Sequence, residues 1–429
     1  MYFLFSKKIV QMAAIRAAAV IGALWLQIWL VAEFGAAAYG EYVFFVTLCS
    51  LVMILSKGGL DTLALKAAAL VLNSGGGEAA MRRIRLQYLR NGLFSTLATC
   101  LLLWLVYVAV SEWRTGLPVL DWRLICGASV GAVLFQILVA FARGMGRPAM
   151  ADAFDAVARN GLMAAVAVVL VSAHHVNATA IVISYSLSFY LASLLLYQLT
   201  SVAAPDRAER AGPSANEHYG VKAHFGFMFA GLLSFVFFQM DTLILGAYID
   251  PVELGAYNMA CNLVRAVIFI PMILSVLVQP RIAVAFEKSD MRLIIKIATG
   301  AIGASFAAAV TCCALLWLFG EFILAWIDPV FVAAKQTMLV LAVAHIVNSI
   351  LIIVGGVLSM TSKYLDVVRA QLVGGGVALV CYAVLIPKYE QIGAALSMFV
   401  GLLFVLAYYV FIYRKHIPKV YGILLSKVK

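Results

Sequence analysis

The stretch QMDTLILGAYIDPVELGAYNMA, Gln239–Ala260, sets an aspartate, Asp241, inside an apolar run that begins near Phe225 and continues to Tyr248. A carboxylate is expensive to hold in hydrocarbon, so Asp241 calls for a partner or a job. The stretch also turns between two apolar segments, and segments of this kind recur along the whole chain. A spanning helix needs about 20 mainly apolar residues. Twelve windows meet that need, at roughly 10–32, 40–60, 86–110, 122–142, 152–172, 178–200, 222–248, 256–279, 293–318, 331–358, 367–386 and 391–413. Their apolar runs are continuous rather than alternating, which argues against barrel strands. The chain is 65% hydrophobic and only 12% charged, with mean hydropathy +1.02. A soluble domain carries about a quarter charged residues, so an all-α polytopic membrane protein is expected.

The net charge is +11, which in a soluble protein would raise nucleic acid as a partner. The distribution of the basic residues gives another answer. With the N-terminus in the cytoplasm, 26 lysines and arginines fall on that side. The far side keeps only Arg114, Arg123, Lys335 and Lys388, and Arg265 falls within the membrane. By the positive-inside rule both termini are cytoplasmic, and the basicity reports topology rather than a nucleic-acid ligand. Lys7 and Lys8 precede an apolar stretch that is too long for a signal peptide and lacks a small-residue cleavage site, so it reads as a retained first span.

The longest internal polar segment, TSVAAPDRAERAGPSANEHYG, covers residues 200–220 near the midpoint. It divides the chain into an N-terminal six-helix bundle (1–200), a cytoplasmic linker (201–221), and a C-terminal six-helix bundle with a basic tail (222–429). The halves read as repeats. LVAEFGAAAYGEY (Leu30–Tyr42) and LGAYIDPVELGAY (Leu245–Tyr257) match at Leu30/Leu245, Gly40/Gly255 and Tyr42/Tyr257, all at an offset of 215. Parallel repeats with an even number of spans each imply a transporter with its site in a central cavity between two bundles. No cofactor or metal is called for. There is no GxxxxGK[ST] phosphate loop, and the seven cysteines lie in apolar windows without metal-ligand spacing, where they read as packing. The glycine run 374–376 reads as a close helix contact and 75–77 as a loop.

Polar residues inside the windows mark the candidate site. Asp241 lies about eight residues from the outer end near Ile249, so about 12 Å deep. Arg265 lies about ten residues in from Leu254, so about 15 Å deep, with Asn258 and Asn262 on its face. Similar depth on antiparallel neighbours allows an ion pair. That pair is either a structural lock or an anion contact, Arg265, whose charge Asp241 buffers or gates. Arg16 and Gln27 share a face of the first span, and Arg16 either snorkels or contacts substrate. Gln136 and Arg143 recur at seven-residue spacing in the fourth span. His345, with Asn348 adjacent, is a packing residue or a proton carrier in the tenth. Asp61 sits beside Lys66 at an inner helix end, where a cap or salt bridge competes with a gating role. Arg143, Arg147, Asp152, Asp155 and Arg159 fall around an inner turn read mainly as a mixed-charge loop, with an inner edge that could guide an anionic head group inward.

Twelve spans in two halves, the Gln239–Ala260 turn and the segment VLVQPRIA (Val276–Ala283) resemble the multidrug/oligosaccharidyl-lipid/polysaccharide transporter superfamily, and within it the Wzx-type polysaccharide repeat-unit (O-antigen) flippases. The resemblance implies alternating access in a two-lobed cavity of a bacterial inner membrane. It implies an undecaprenyl-diphosphate-linked oligosaccharide as substrate, with Arg265 as the central anion contact and Arg16 and Arg143 nearer the inner mouth. A polysaccharide polymerase or chain-length machinery would be a working partner. The two extra spans of lipid II flippases are absent, which disfavours the peptidoglycan-precursor role. An ion-coupled exporter of cationic drugs on the same fold is the alternative, with Asp241 and Glu33 as its acids. A membrane polymerase or ligase would need a large outer loop, and the outer loops here are short.

Overall fold

The computed structural model describes residues 7–74, 77–113, 121–201, 221–361 and 363–426, with side chains described only within 20–412. Every described element is helical: α1 (Lys7–Phe34), α2 (Ala36–Lys57), α3 (Leu60–Asn73), α4 (Glu78–Trp113), α5 (Trp122–Gly144), α6 (Pro148–Ala153), α7 (Arg159–Ser172), α8 (Ala178–Ser201), α9 (Val221–Phe238), α10 (Met240–Leu245), α11 (Pro251–Glu287), α12 (Met291–Ile327), α13 (Lys335–Met360) and α14 (Tyr364–Ser426). A π-turn over Phe154–Ala158 joins α6 to α7, and a 3-10 turn over Pro329–Ala334 leads into α13. Among the described residues, nine helices are long and apolar enough to cross a membrane. The chain is a multi-pass membrane protein.

All twelve windows lie on helices, with three adjustments. The seventh is broken at Gln239, whose φ of −148° and ψ of −16° separate α9 from α10. The eleventh and twelfth share α14, which bends sharply at Glu390 (φ 48°, ψ −123°). The second window ends at Gly58 and Gly59, both at positive φ (45° and 87°), where side-chain-free residues let the chain reverse into α3. Helix α3 is more than an inner extension of the second span. Its Leu60 and Ala64 pack with Val133 and Ile137 of α5. Its Ala68 and Val71 pack with Met81, Ile84, Phe141 and Met145.

The chain forms two compact units, residues Met1–Phe235 and Val236–Lys429. The division falls within α9. The linker read at 201–221 lies, apart from its ends, outside the described residues. Within each unit the same neighbours pack. In the first, α2 packs on α4 and α5, α4 on α5, and α5 on α8. In the second, α11 packs on α12 and α13, α12 on α13, and α13 on α14. The repeat read from three matched residues is therefore also a repeat of packing. The two arms of α14 meet at Gly374 and Gly401: a Cβ on Gly374 would sit 2.6 Å from the Gly401 carbonyl oxygen. In the first unit Arg85, 4% exposed, fixes α4 to α8. Its Nη1 donates to Thr200 Oγ1 (3.1 Å) and the Tyr197 carbonyl (3.4 Å), and its guanidinium lies 4.0 Å above the Tyr197 ring.

Candidate functional site

Each unit carries its own polar cluster. In the C-terminal unit, Asp241 opens α10 directly after the break at Gln239 and is 3% exposed. Tyr257 of α11 donates its hydroxyl to Asp241 Oδ2 at 2.6 Å. Oδ1 accepts the Thr242 backbone N–H at 2.7 Å and the Thr242 hydroxyl at 3.3 Å. The partner of Asp241 is therefore Tyr257, and the ion pair with Arg265 does not form. Arg265 reaches Asp241 only as a more distant charge.

The reason lies in where α11 begins. Asp250 caps the helix by accepting the Glu253 N–H at 3.0 Å, and Pro251 occupies the first helical position. Helix thus starts at Pro251 rather than near Leu254. Arg265 then lies about 21 Å along it, well past the depth of Asp241, while Tyr257 lies about 9 Å along and level with it. Tyr382 and Cys261 stand within the electrostatic reach of Asp241, and the buried Tyr382 hydroxyl and Gln239 Oε1 have no partner among the described residues.

Further down α11, Asn262 Nδ2 donates to Asn258 Oδ1 at 2.9 Å, and Arg265 follows on the same face. Arg265 is exposed and has no carboxylate within 4.0 Å among the described residues. Its charge acts on His345, which is 5% exposed and lies 3.4 Å from Asn348 Nδ2 through its Nδ1.

In the N-terminal unit, Tyr39 of α2 donates to Gln27 Oε1 of α1 at 2.9 Å. Both units thus close their first hairpin with a tyrosine hydroxyl on a polar side chain. Arg143 is held by two acids: its Nη2 lies 2.9 Å from Asp152 Oδ1 and 3.3 Å from Asp155 Oδ2, and its Nε donates to Asp152 at 3.1 Å. Gln136 Nε2 donates to Asp155 Oδ1 at 3.1 Å. Asp61 is bridged to Lys57 at 2.9 Å, across the Gly58–Gly59 reversal, rather than to Lys66. The side chain of Arg16 lies outside the described residues.

The inner-turn reading of residues 142–160 needs correction. Residues Pro148–Ser172 form one helical stretch apolar enough to span the membrane. The turn is confined to residues 145–147, and Asp152, Asp155 and Arg159 lie on the helix of the fifth window rather than in a loop. Proline at the first helical position and the alanines that follow are the signals that could have shown it. A cavity of about 350 Å3 in the C-terminal unit, lined by Val310, Trp317, Leu339 and Ile346 among others, is apolar and includes none of the polar residues above.

Comparison with protein families and with curated proteins finds no match. Solved structures do match. An inward-facing multidrug resistance MATE family transporter of the MOP superfamily aligns over 93% of this chain and 97% of its own, with TM-score 0.70 and 12% identity. The lipid II flippase MurJ in an inward closed conformation aligns over 94% of this chain and 87% of its own, with TM-score 0.67 and 12% identity. The MATE multidrug transporter DinF-BH aligns over 96% of each chain, with TM-score 0.58 and 16% identity. The chain has the polytopic fold that these transporters share.

Proposed function

We propose that this protein is a lipid-linked oligosaccharide flippase. It moves undecaprenyl-diphosphate-linked polysaccharide repeat units from the inner to the outer leaflet of a bacterial inner membrane by ion-coupled alternating access. One asymmetry carries the reading: the deep acid of the C-terminal unit is satisfied and the deep base is not. Asp241 has its oxygens occupied by Tyr257 and Thr242, whereas Arg265 meets no carboxylate among the described residues. A lone charge in hydrocarbon is costly, and an anionic substrate offsets that cost. The planar fork of arginine suits a diphosphate, which it grips bidentately while keeping its charge.

In this reading Arg265 contacts the diphosphate, and Arg16 and Arg143 serve the inner mouth, Arg143 by exchanging Asp152 and Asp155 for substrate. Asn258, Asn262, Gln27 and Gln136 supply hydrogen bonds along the path. Asp241, His345 and Asp61 are the residues for coupling and gating. Polysaccharide export in cells tests the anion contact. Arg265→Ala should abolish export and Arg265→Lys should retain part of it; unimpaired export with alanine would remove Arg265 from the mechanism. The multidrug transporters among the structural neighbours support a second reading, an ion-coupled exporter of cationic drugs. Ethidium efflux without lipid movement would establish it.

A further inference from the structure

The N-terminal unit contains an arginine to which the described residues offer no carboxylate partner. Arg159 is the twelfth residue of the 25-residue stretch Pro148–Ser172, so it lies about 20 Å from the outer end. Asp155, one helical turn earlier, is its natural partner by i, i+4 spacing. Asp155 instead faces Arg143 and Gln136, at 3.3 Å and 3.1 Å. Asp152 is likewise committed to Arg143. Asp155 is the second residue of the π-turn Phe154–Ala158, which ends directly before Arg159, and such insertions recur at functional positions.

What Arg159 does touch is aromatic. Its guanidinium carbon stands 5.0 Å from the centre of the Phe189 ring. Phe189 meets Tyr185 edge-on at 5.0 Å, Tyr185 meets Tyr42 at 5.9 Å, and the charge of Arg159 reaches both tyrosines. Stacking covers a face of the guanidinium and leaves its N–H edge free to donate in the plane. Arg85 in the same unit provides the contrast: its Nη1 is used on Thr200 and the Tyr197 carbonyl. Among the described residues Arg159 has no hydrogen-bond acceptor or carboxylate of its own.

We infer that Arg159, stacked on Phe189 at mid-membrane depth, is a substrate contact of the N-terminal unit that binds a phosphate or diphosphate group. The inference rests on the flippase reading for the identity of that group as the lipid-linked diphosphate. It adds a residue that the reading itself does not use.

Binding to the full-length protein in phosphatidylcholine nanodiscs tests it, with undecaprenyl diphosphate and inorganic pyrophosphate titrated separately. Removing a charge-assisted contact should weaken binding of the diphosphate lipid about tenfold or more in Arg159→Gln. Arg159→Lys should fall between the two, since it keeps the charge and loses the fork. Arg159-dependent binding of both probes supports the inference with the headgroup sufficient, and of the lipid alone with the tail required. If Arg159→Gln binds as tightly as the wild type while Arg265→Gln does not, the inference fails and the flippase reading stands. If the wild type binds neither probe, both fail. Should Arg159→Gln not fold, a photoreactive undecaprenyl diphosphate on the wild type decides: label on α7 or α8 supports the contact, and label confined to other helices overturns it.

Discussion

The carboxylate of Asp241 is stabilised by one short bond from Tyr257 and two from Thr242, so its environment is neutral and donor-rich rather than cationic. Tyr257 is fully buried, and Tyr257→Phe leaves Oδ2 without its donor. Leaving a buried acceptor without its donor should cost about 1–3 kcal/mol, read as a lower unfolding temperature in detergent. If Tyr257→Phe unfolds like the wild type, the bond contributes nothing. At this scale the sequence was legible in type and misleading in pairing. Asp241 stood out because carboxylates are rare in apolar runs, but its partner depended on where α11 starts. Three residues at the helix start moved Arg265 out of register and Tyr257 into it. Tyr257 had already appeared as a repeat match to Tyr42, yet an uncharged partner leaves no charge pattern to read. Arg159 was read with the inner turn although it lies inside the fifth apolar window, because the charges of residues 143–159 outweighed the apolar residues that follow.

The helices themselves were the most readable level, because each span must satisfy its backbone internally over about 20 apolar residues. Their breaks were not. Gln239 and the π-turn before Arg159 contain no proline or glycine, whereas the bend at Glu390 lies between Pro387 and Gly393, whose missing side chain leaves room for the Leu385 carbonyl. Glu390 adopts φ 48° and ψ −123°, values that a first central turn residue takes in a type II′ turn, where glycine is usual. Glu390→Gly should therefore raise stability by about 1 kcal/mol, seen as a higher melting temperature; a lower one would show that the turn is held by its side chain. The Gly374–Gly401 approach predicts the opposite sign. Gly374→Ala places a methyl 2.6 Å from the Gly401 oxygen, and overpacking of this kind should cost about 1–3 kcal/mol. An unchanged melting temperature would mean that the arms of α14 separate freely.

At the level of the whole chain, two units of the same packing order carry different chemistry. The C-terminal unit holds a satisfied acid and an arginine with no carboxylate partner among the described residues. The N-terminal unit holds an arginine clamped by two acids and another resting on an aromatic ring. Leu30/Leu245, Gly40/Gly255 and Tyr42/Tyr257 mark a repeat in the sequence, and the contact boundary between the two units falls inside α9 rather than at the polar linker. Ion coupling predicts that transport responds to a proton or sodium gradient; indifference to both would remove Asp241 and His345 from that role. The central claim is that an anionic, lipid-linked sugar is carried. The direct measurement is transport by the purified protein in proteoliposomes, offered a fluorescent undecaprenyl-diphosphate oligosaccharide and, separately, ethidium. The account predicts movement of the lipid-linked sugar between leaflets, lost in Arg265→Ala, with no ethidium transport. Ethidium transport with an immobile lipid would contradict it.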